Sequence, residues 1–267
     1  MISIIIVNFN SGPTLKECTD KIRELIKTDH EIIVFDNDSS DDSLAAIEGR
    51  DITIIRSDQN LGFAKANNEA ARFAKGKILH FLNPDVFVNG HLNSVYQRAL
   101  SEHRLQQIYS TSLVDGSGEP QVSKMLVPRL QNYLLRVFWP SKALYWAIGA
   151  SVIMPTSVFK TLGGWPQDYF MYTEDLDLFY RAQLRGIGVQ YVDTQLTHIG
   201  MFSTSTTWSA QERACVIERS FRTFFRKYGF RGEYAVVRGL LLLQQLVKRD
   251  PEFLVTLKAA FHRGCSR

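Results

Sequence analysis

Two short segments of the chain, Asn83-Pro84-Asp85 and Thr173-Glu174-Asp175, carry side chains that could do chemistry. The first follows the apolar run 78–82, which predicts a buried strand. A carboxylate at the mouth of such a strand is well placed to hold a metal ion or a phosphate-bearing ligand. The second opens a predicted helix with three acids in its first turn, Glu174, Asp175 and Asp177. Acids at that position also suit the helix dipole, so helix capping is the alternative explanation.

A third acidic cluster, Asp36–Asp42, follows the predicted strand Glu31–Phe35. Asp41, Asp42 and Ser43 are typical of a loop and of the N-cap of a short helix. Asp36 differs because it ends the strand, where a carboxylate can accept hydrogen bonds from a base or a ribose. The three acidic segments together indicate a metal-assisted group transfer with a carboxylate base.

The segment 60–68 opens a predicted helix with Asn60, Gly62 and Lys65 near its start. Asn60 can cap that helix and Lys65 can be an ordinary solvated side chain. Alternatively, the amides at the helix start and the nearby lysine would suit a nucleotide diphosphate. The chain contains neither a Gly-x-Gly-x-x-Gly fingerprint nor a P-loop lysine, so neither an NAD site nor ATP hydrolysis is indicated.

Asp85 is the strongest candidate metal ligand in the sequence. Mg²⁺ or Mn²⁺ held mainly by substrate phosphates needs only one or two carboxylates from the protein. His198 follows the predicted strand Val189–Val192 and could add an imidazole ligand, although a lone histidine is more often structural.

Strands and helices alternate along the first hundred residues, which predicts a parallel sheet with right-handed crossovers. Ligands bind outside the carboxyl ends of the strands in such sheets, so Asn8, Asp36 and Asp85 should share one site. The predicted strands are Ile2–Asn8, Glu31–Phe35, Ile52–Arg56 and Lys77–Leu82, and the predicted helices are Pro13–Thr28, Ser43–Glu48 and Phe63–Lys75.

The second half of the chain is less regular. Residues 110–126 read as strand interrupted by a turn at 115–118, and residues 128–146 as a mobile loop or short helix over the site. A strand (147–154) and a short helix (155–162) follow. The end of the chain predicts three helices, Ser209–Tyr228, Glu233–Lys248 and Pro251–His262.

Composition describes one globular domain, alone or with an appendage: 267 residues, 45% of them hydrophobic. The start of the chain lacks the features of a signal peptide, and no apolar stretch reaches the length of a membrane span. Three widely spaced cysteines suggest neither a disulfide framework nor a zinc site. These features favour a reducing, cytoplasmic setting.

Residues 219–267 hold 11 Lys and Arg against 3 Asp and Glu, which indicates an anionic partner such as lipid or nucleic acid. The apolar run 240–243 favours lipid over nucleic acid. One face of the predicted helix carries Ala235, Val236, Leu240, Leu243 and Val247, with Arg238 and Lys248 near its edges. This face predicts either a helix packed on the main domain or a helix that lies at a membrane interface. Aromatic residues that alternate with Lys and Arg favour the interfacial helix. The aromatics are Phe224, Phe225, Phe230, Phe253 and Phe261.

Six segments occur in the order seen in family 2 glycosyltransferases, which the chain resembles over about residues 1–205. More narrowly, they resemble the bacterial rhamnosyltransferase-like branch that builds surface polysaccharides such as lipopolysaccharide O-antigen. The segments are 4–10, 35–41, 60–68, 81–85, 163–181 and His198.

The resemblance implies an α/β GT-A (Rossmann-like) fold, in which a mostly parallel sheet is flanked by helices, with a helical C-terminal appendage. It implies inverting transfer with Asp175 as base and with Asp85 and His198 as contacts of Mg²⁺ or Mn²⁺. Asn83 stands where the family's Asp-x-Asp motif has its first acid, so metal affinity would rely on the bound diphosphate. The implied donor-binding residues are Val7, Asn8, Asn10, Asp36, Asn60, Gly62, Lys65 and Asn83, and the implied acceptor-binding residues are Trp165, Glu174 and Asp177.

We therefore expect a catalytic domain at 1–207, with a nucleotide-sugar half (1–100) and an acceptor half (101–207), and a basic amphipathic helical region at 208–267. The expected reaction moves a deoxyhexose, such as rhamnose from dTDP-rhamnose, to a lipid-linked saccharide. The protein would sit on the inner face of the cell membrane, bound to its anionic surface through the C-terminal helices, and would not bind nucleic acid. The alternatives are a UDP-hexose transferase of the same fold and a non-catalytic nucleotide-sugar-binding subunit.

Overall fold

A computed structural model describes residues 1–200 and 208–261 of the chain. Its centre is a mixed sheet of nine strands, and a separate two-stranded ribbon pairs β8 with β9. The strands are β1 Ile2–Asn8, β2 His30–Asn37, β3 Thr53–Ser57, β4 Ile78–Leu82, β5 Val86–Phe87, β6 Gln107–Val114, β7 Pro120–Gln121, β8 Lys124–Leu126, β9 Tyr145–Ala147, β10 Ser151–Pro155 and β11 Gly188–His198.

The strand order is β3-β2-β1-β4-β10-β6-β11-β5, with β7 paired to β6. The four strands of the first half are parallel, which confirms the prediction from their alternation with helices. The chain then places β10 antiparallel between β4 and β6, while β11 runs parallel to β6. As a result, the start of β10 lies at the same edge as the carboxyl ends of β1, β2 and β4.

Helices cover both faces of the sheet. The helices are α1 Pro13–Leu25, α2 Phe63–Ala71, α3 Leu92–Ser101, α4 Leu130–Phe138, α5 Thr156–Leu162, α6 Glu174–Leu184, α7 Ala210–Lys227, α8 Arg231–Val247 and α9 Phe253–Phe261. Isoleucines at alternate positions of β1 explain the two layers, because successive side chains of a strand point to opposite faces. Ile4 and Ile6 pack with α1 and α3, whereas Ile5 packs with α2, α5 and α6.

Several sequence expectations need correction. Residues 43–48 form only a short 3₁₀ turn, Ala45–Ile47, and α3 was not predicted. The predicted strand 189–192 extends to His198, because β11 continues past a bulge to pair with β5. The segment 128–146, predicted as a loop or a short helix, does contain a short helix, α4, and it also holds most of strand β9, which was not predicted.

The C-terminal helices form a third apolar cluster on α6. Phe224 and Phe225 are fully buried there with Val237, against Leu176 and Tyr180. Those two phenylalanines are therefore core residues, and the expectation that they serve an interfacial helix is wrong. Arg238 is likewise not a free edge cation, because its Nε lies 2.8 Å from the buried carboxylate of Glu218.

The predicted apolar face of α8 is nevertheless exposed to solvent along its length. Val236, Leu240, Leu243 and Val247 keep 44–75% of their surface accessible. In the described residues, no helix is both long and apolar enough to cross a membrane. Cys18 is a buried free thiol.

Candidate active site

The ends of β1 and β2 bring Asn8, Asn10 and Asp36 together. Asn8 lies opposite Asp36 in the parallel pair, and Asn8 Nδ2 donates to Asp36 Oδ1 at 2.8 Å. Asn8 Nδ2 and the backbone N–H of Asn10 both donate to Ser39 Oγ. Val7, one residue before the strand end, is partly exposed. This side of the site carries carboxylate and amide groups, as the binding of a nucleoside would require.

Asn60 and Gly62 are tied to the same edge by Asn37, a residue to which sequence reasoning gave no role. Asn37 Nδ2 donates to Asn60 Oδ1 at 2.9 Å, and Asn37 Oδ1 accepts from Leu61 N–H at 2.8 Å. Asn60 Oδ1 also accepts from Gly62 N–H. Lys65 lies in the first turn of α2 and is exposed.

Gly62 lets α2 meet the loop before α6. Its φ is +77°, and a Cβ atom at this position would lie 2.2 Å from Phe170 O. The close approach allows Phe63 N–H to donate to the same carbonyl at 3.3 Å. The glycine is therefore required by both its backbone conformation and its neighbour.

Asp85 and His198 face each other at the end of β4 and the end of β11. Asp85 Oδ1 is buried without a hydrogen-bond partner among the described residues, and His198 Nε2 lies 3.6 Å from it. Burial raises the pKa of Asp85, although a charge on His198 would oppose that shift. Burial also lowers the pKa of His198, opposed by the charge of Asp85.

The pair of Asp85 and His198 fits a divalent cation in the chemistry of its atoms. An unpaired buried carboxylate oxygen faces a ring nitrogen, and both are ligand types that Mn²⁺ accepts. Across the part of the chain that the structure describes, no group of three or more His, Cys, Asp or Glu could hold a metal. The protein would thus supply two ligands, and the remaining positions would fall to phosphate oxygens and water. Asn83, partly exposed, lies on the same turn.

Asp175 lies at the start of α6, where two backbone N–H groups orient its carboxylate. Its Oδ2 accepts from Gly149 N–H at 3.1 Å and its Oδ1 from Leu176 N–H at 2.8 Å. Tyr172 and Thr173, just before the helix, have φ of +65° and +74°, a conformation that strains a residue other than glycine. Burial raises the pKa of Asp175 to about 6, and the two amide hydrogen bonds oppose that rise.

One dipeptide links the candidate base to the candidate metal pair. Gly149 N–H donates to Asp175, and the next residue, Ala150, accepts from Asn83 N–H at 2.9 Å. A Cβ atom on Gly149 would lie 3.3 Å from the ring of Trp165 and 3.4 Å from Asp175 Cβ. The two segments in which the sequence places its chemistry therefore lie side by side in the fold.

Glu174 is buried beside Asp175. Its Oε2 makes no hydrogen bond within the described residues. Burial first, and then the charge of Asp175, raise the pKa of Glu174 well above its ordinary value.

Asp177 and Trp165 lie inside the protein. Asp177 has no exposed surface and binds Tyr169, Lys227, Tyr228 and Arg181, the last at 3.2 Å as the i,i+4 spacing suggested. Trp165 is 1% exposed and packs edge-on against Phe63 and Phe81. These placements do not favour acceptor contacts by Asp177 or Trp165, which stay predictions.

Sequence reasoning overlooked three polar groups that organise the site: Asn37, Gly149 and Gln121. Asn37 stands inside the acidic cluster and was treated as part of a turn. Gly149 sits in an apolar stretch and orients Asp175 through its backbone N–H. Every residue except proline has such a group, so the residue type does not reveal the contact. Gln121 hydrogen-bonds the ring and the carbonyl of His198 from a distant strand.

Comparison with known proteins gives consistent findings. A family model described as Glycosyl transferase family 2 matches residues 3–162. The low-salt glycan biosynthesis hexosyltransferase Agl10 of Haloferax volcanii is 26% identical over 201 residues, covering 70% of this chain and 63% of that protein. The rhamnosyltransferase WbbL of Escherichia coli K12 is 28% identical over 153 residues, covering 49% and 58%. The chain thus spans less than two thirds of either relative.

Solved structures share the fold at low sequence identity. TarS residues 1–349 of S. aureus, in complex with UDP-GlcNAc, superposes with a TM-score of 0.61 at 17% identity, covering 97% of this chain and 79% of that one. The mannosyltransferase PcManGT of Pyrobaculum calidifontis, in complex with GDP-Man and Mn²⁺, gives 0.57 at 16% identity, covering 99% and 81%. These likenesses establish the GT-A fold that the sequence predicted.

Proposed function

The chain belongs to glycosyl transferase family 2, and we propose that it is an inverting glycosyltransferase that moves a sugar from a nucleoside diphosphate to an acceptor hydroxyl. One observation carries the proposal. The dipeptide Gly149-Ala150 joins Asp175, an oriented carboxylate, to the segment that holds Asp85. A base and a diphosphate-binding edge are the two parts that such a transfer needs.

Asp175 acts as the general base in this proposal. Its two amide hydrogen bonds fix the carboxylate, and its pKa of about 6 leaves it ionised at neutral pH. It takes the proton of the acceptor hydroxyl as that oxygen attacks the anomeric carbon from the face opposite the leaving diphosphate. A single in-line displacement inverts the anomeric centre, and a positioned base contributes roughly 10²–10⁴-fold to such a step.

The donor lies along the strand ends in this proposal. Asn8 and Asp36 receive the nucleoside, with Val7 and Asn10 beside them, and Asn60, Gly62, Lys65 and Asn83 border the diphosphate. Solved proteins of this fold hold UDP-GlcNAc and GDP-Man. We favour dTDP-rhamnose as donor because WbbL is a rhamnosyltransferase. A UDP-hexose is the second candidate, and the similarity to a hexosyltransferase supports it.

Asp85 and His198 would hold Mg²⁺ or Mn²⁺ together with the diphosphate. A cation bound there supplies Lewis-acid neutralisation of the negative charge on the leaving group. Glu174 lies beside Asp175 in this proposal, and burial raises the pKa of Glu174 well above its ordinary value.

A lipid-linked saccharide is the acceptor we propose, reached from the anionic inner face of the cell membrane. The exposed apolar face of α8 and the basic balance of residues 219–267 support such a surface. A cavity of about 250 Å³ between α7 and α8 is lined by four arginines, Arg219, Arg222, Arg226 and Arg231. Of these, Arg222 pairs with Glu218 at 2.9 Å. Cations mixed with exposed apolar side chains suit a helix lying on anionic lipid.

A donor panel tests the proposal. Purified protein is incubated with dTDP-rhamnose, UDP-hexoses and GDP-mannose, with Mn²⁺, Mg²⁺ or EDTA, and with a lipid-linked saccharide acceptor. We expect transfer from one donor, with inversion at the anomeric carbon read by NMR of the product. Donor binding without any hydrolysis or transfer, across all donors and cations, would instead support a non-catalytic nucleotide-sugar-binding subunit.

A further inference from the structure

Gln121 holds His198 at two points. The side-chain Nε2 of Gln121 donates to the carbonyl oxygen of His198 at 2.8 Å. Its Oε1 lies 2.8 Å from His198 Nδ1. The first bond fixes which way the amide points, because only the NH₂ group can donate to a carbonyl. The oxygen of the amide therefore faces the ring, and Nδ1 must carry the hydrogen between them.

The second ring nitrogen then has a defined state. A neutral imidazole carries one N–H, so a hydrogen on Nδ1 leaves a lone pair on Nε2. That nitrogen points to Asp85 Oδ1 at 3.6 Å, which is too long for a hydrogen bond. Asp85 Oδ1 is also without a hydrogen bond in the described part of the chain. Nε2 and Asp85 Oδ1 thus both direct lone pairs into the space between them, an arrangement suited to sharing one cation.

We infer that Gln121 is a positioning residue that fixes the His198 tautomer and so prepares Nε2 to bind a divalent cation together with Asp85. The inference rests on the metal-assisted transfer proposed above. A histidine that binds a metal generally donates its other N–H to an acceptor, and loss of that acceptor typically costs 10–100-fold in metal affinity or activity.

The local fold explains why Gln121 can do this. Asp115 accepts three hydrogen bonds from Ser117 and Glu119, which closes the turn between β6 and β7. The turn returns Gln121 to pair with Leu113, while Leu113 also pairs with Leu196 of β11. Gln121 thus comes beside the end of β11, where His198 lies.

The test compares Gln121→Leu and Gln121→Glu with the wild type and with Gln195→Leu. Gln195 is an exposed glutamine on the same strand as His198 and is a matched control. Thermal unfolding first establishes that each variant is folded. Nitrogen NMR of the metal-free protein then reports the His198 tautomer, and Mn²⁺ binding with a nucleoside diphosphate present is measured by electron paramagnetic resonance.

We expect hydrogen on Nδ1 alone in the wild type and in Gln195→Leu. Gln121→Leu should show a mixture of tautomers and bind Mn²⁺ roughly 10–100-fold more weakly. Gln121→Glu keeps an acceptor for Nδ1 and should retain the tautomer and more of the affinity. A folded Gln121→Leu with the wild-type tautomer and wild-type Mn²⁺ affinity overturns the inference, and so does a hydrogen on Nε2 in the wild type.

Failure of the proposed function gives a different result. A wild type that transfers sugar in EDTA and binds no Mn²⁺ overturns the role of Gln121 in metal binding, even with the expected tautomer. A wild type that binds Mn²⁺ through an ordered His198 without transferring sugar supports the inference and contradicts the transferase assignment.

Discussion

The ionisation of Asp175 should govern the pH dependence of the reaction. Burial raises its pKa to about 6, and a base works only in its ionised form. We therefore expect kcat/KM to fall about tenfold for each pH unit below about 6 and to level off above it. A rate profile between pH 4.5 and 8.5 checks this. A flat profile across that range in a folded protein would exclude Asp175 as the base.

Asp175→Asn separates catalysis from folding. Asparagine keeps the shape but cannot take a proton, so transfer should fall by about 10²-fold or more while donor binding changes only a few-fold. The variant should also be more stable at pH 7. A carboxylate whose pKa is raised in the folded state favours folding at low pH, and this contribution is lost as the pH rises towards 6.

Asparagine is uncharged at pH 7, so the variant avoids the cost of burying an ionised carboxylate. Because Asp175 keeps some exposure, we expect the free energy of unfolding at pH 7 to rise by about 1 kcal/mol. Denaturant unfolding at pH 5 and pH 7 measures it. Normal turnover by folded Asp175→Asn would contradict the assignment.

Glu174→Gln is the matched control for its neighbour. Glutamine imitates the protonated carboxyl that burial favours at Glu174. Activity should stay within a few-fold of wild type, and the acid limb of the profile should remain near pH 6. A limb that moves to lower pH would instead show that Glu174 is charged when Asp175 titrates.

At the scale of elements, Gly62 keeps α2 against the loop that leads to α6. Gly62→Ala places a Cβ atom against Phe170 O in a left-handed backbone conformation. We expect a loss of roughly 2 kcal/mol or more in unfolding free energy, together with weaker donor binding. Gly90→Ala is the control, since no atom lies within 4 Å of the added carbon. Equal stability of the two variants would mean that the contact does not hold these elements together.

The sequence predicts helices and strands best where the local pattern of apolar and polar residues depends directly on the secondary structure. The alternation of strands and helices over the first hundred residues predicted the parallel half of the sheet, and the polar residues at strand ends predicted the edge that holds Asn8, Asp36 and Asp85. The antiparallel insertion of β10 could not be read in this way, because pairing between distant strands leaves little trace in local pattern. The two hydrogen bonds between Gln121 and His198 could not be predicted for the same reason, because 77 residues separate the two partners.

At the scale of the whole molecule, α8 presents a long apolar face to solvent. Its opposite side holds Val237 in the third cluster, and Glu233 at its start binds Arg129 through two nitrogens. Removing residues 233–267 would therefore damage the core as well as the surface. Point substitutions on the exposed face are the cleaner test of membrane binding.

Leu243→Ser with Val247→Ser should weaken binding to anionic vesicles, because both side chains are more than half exposed. Lys248→Gln with Lys258→Gln should weaken it through charge, by about 1 kcal/mol for each cation near an anionic leaflet. Leu105→Ser is the control, because Leu105 is an exposed leucine far from α8 in the sequence. Co-sedimentation at low and high salt reads the result. If the wild type does not bind at low salt, the face of α8 does not dock on membranes.

Asp177 also limits how this protein could be recombined with others. The helix that starts with the candidate base buries a carboxylate whose partners Lys227 and Tyr228 come from the end of α7 and just after it. A chimera that grafts a foreign C-terminal region after residue 207, to redirect the protein to another surface, would strip Asp177 of these partners. Arg181 and Tyr169 would remain, but a fully buried carboxylate that loses two of its four partners destabilises the fold. The C-terminal region is therefore not a detachable module, and a workable exchange must carry Lys227 and Tyr228 with it.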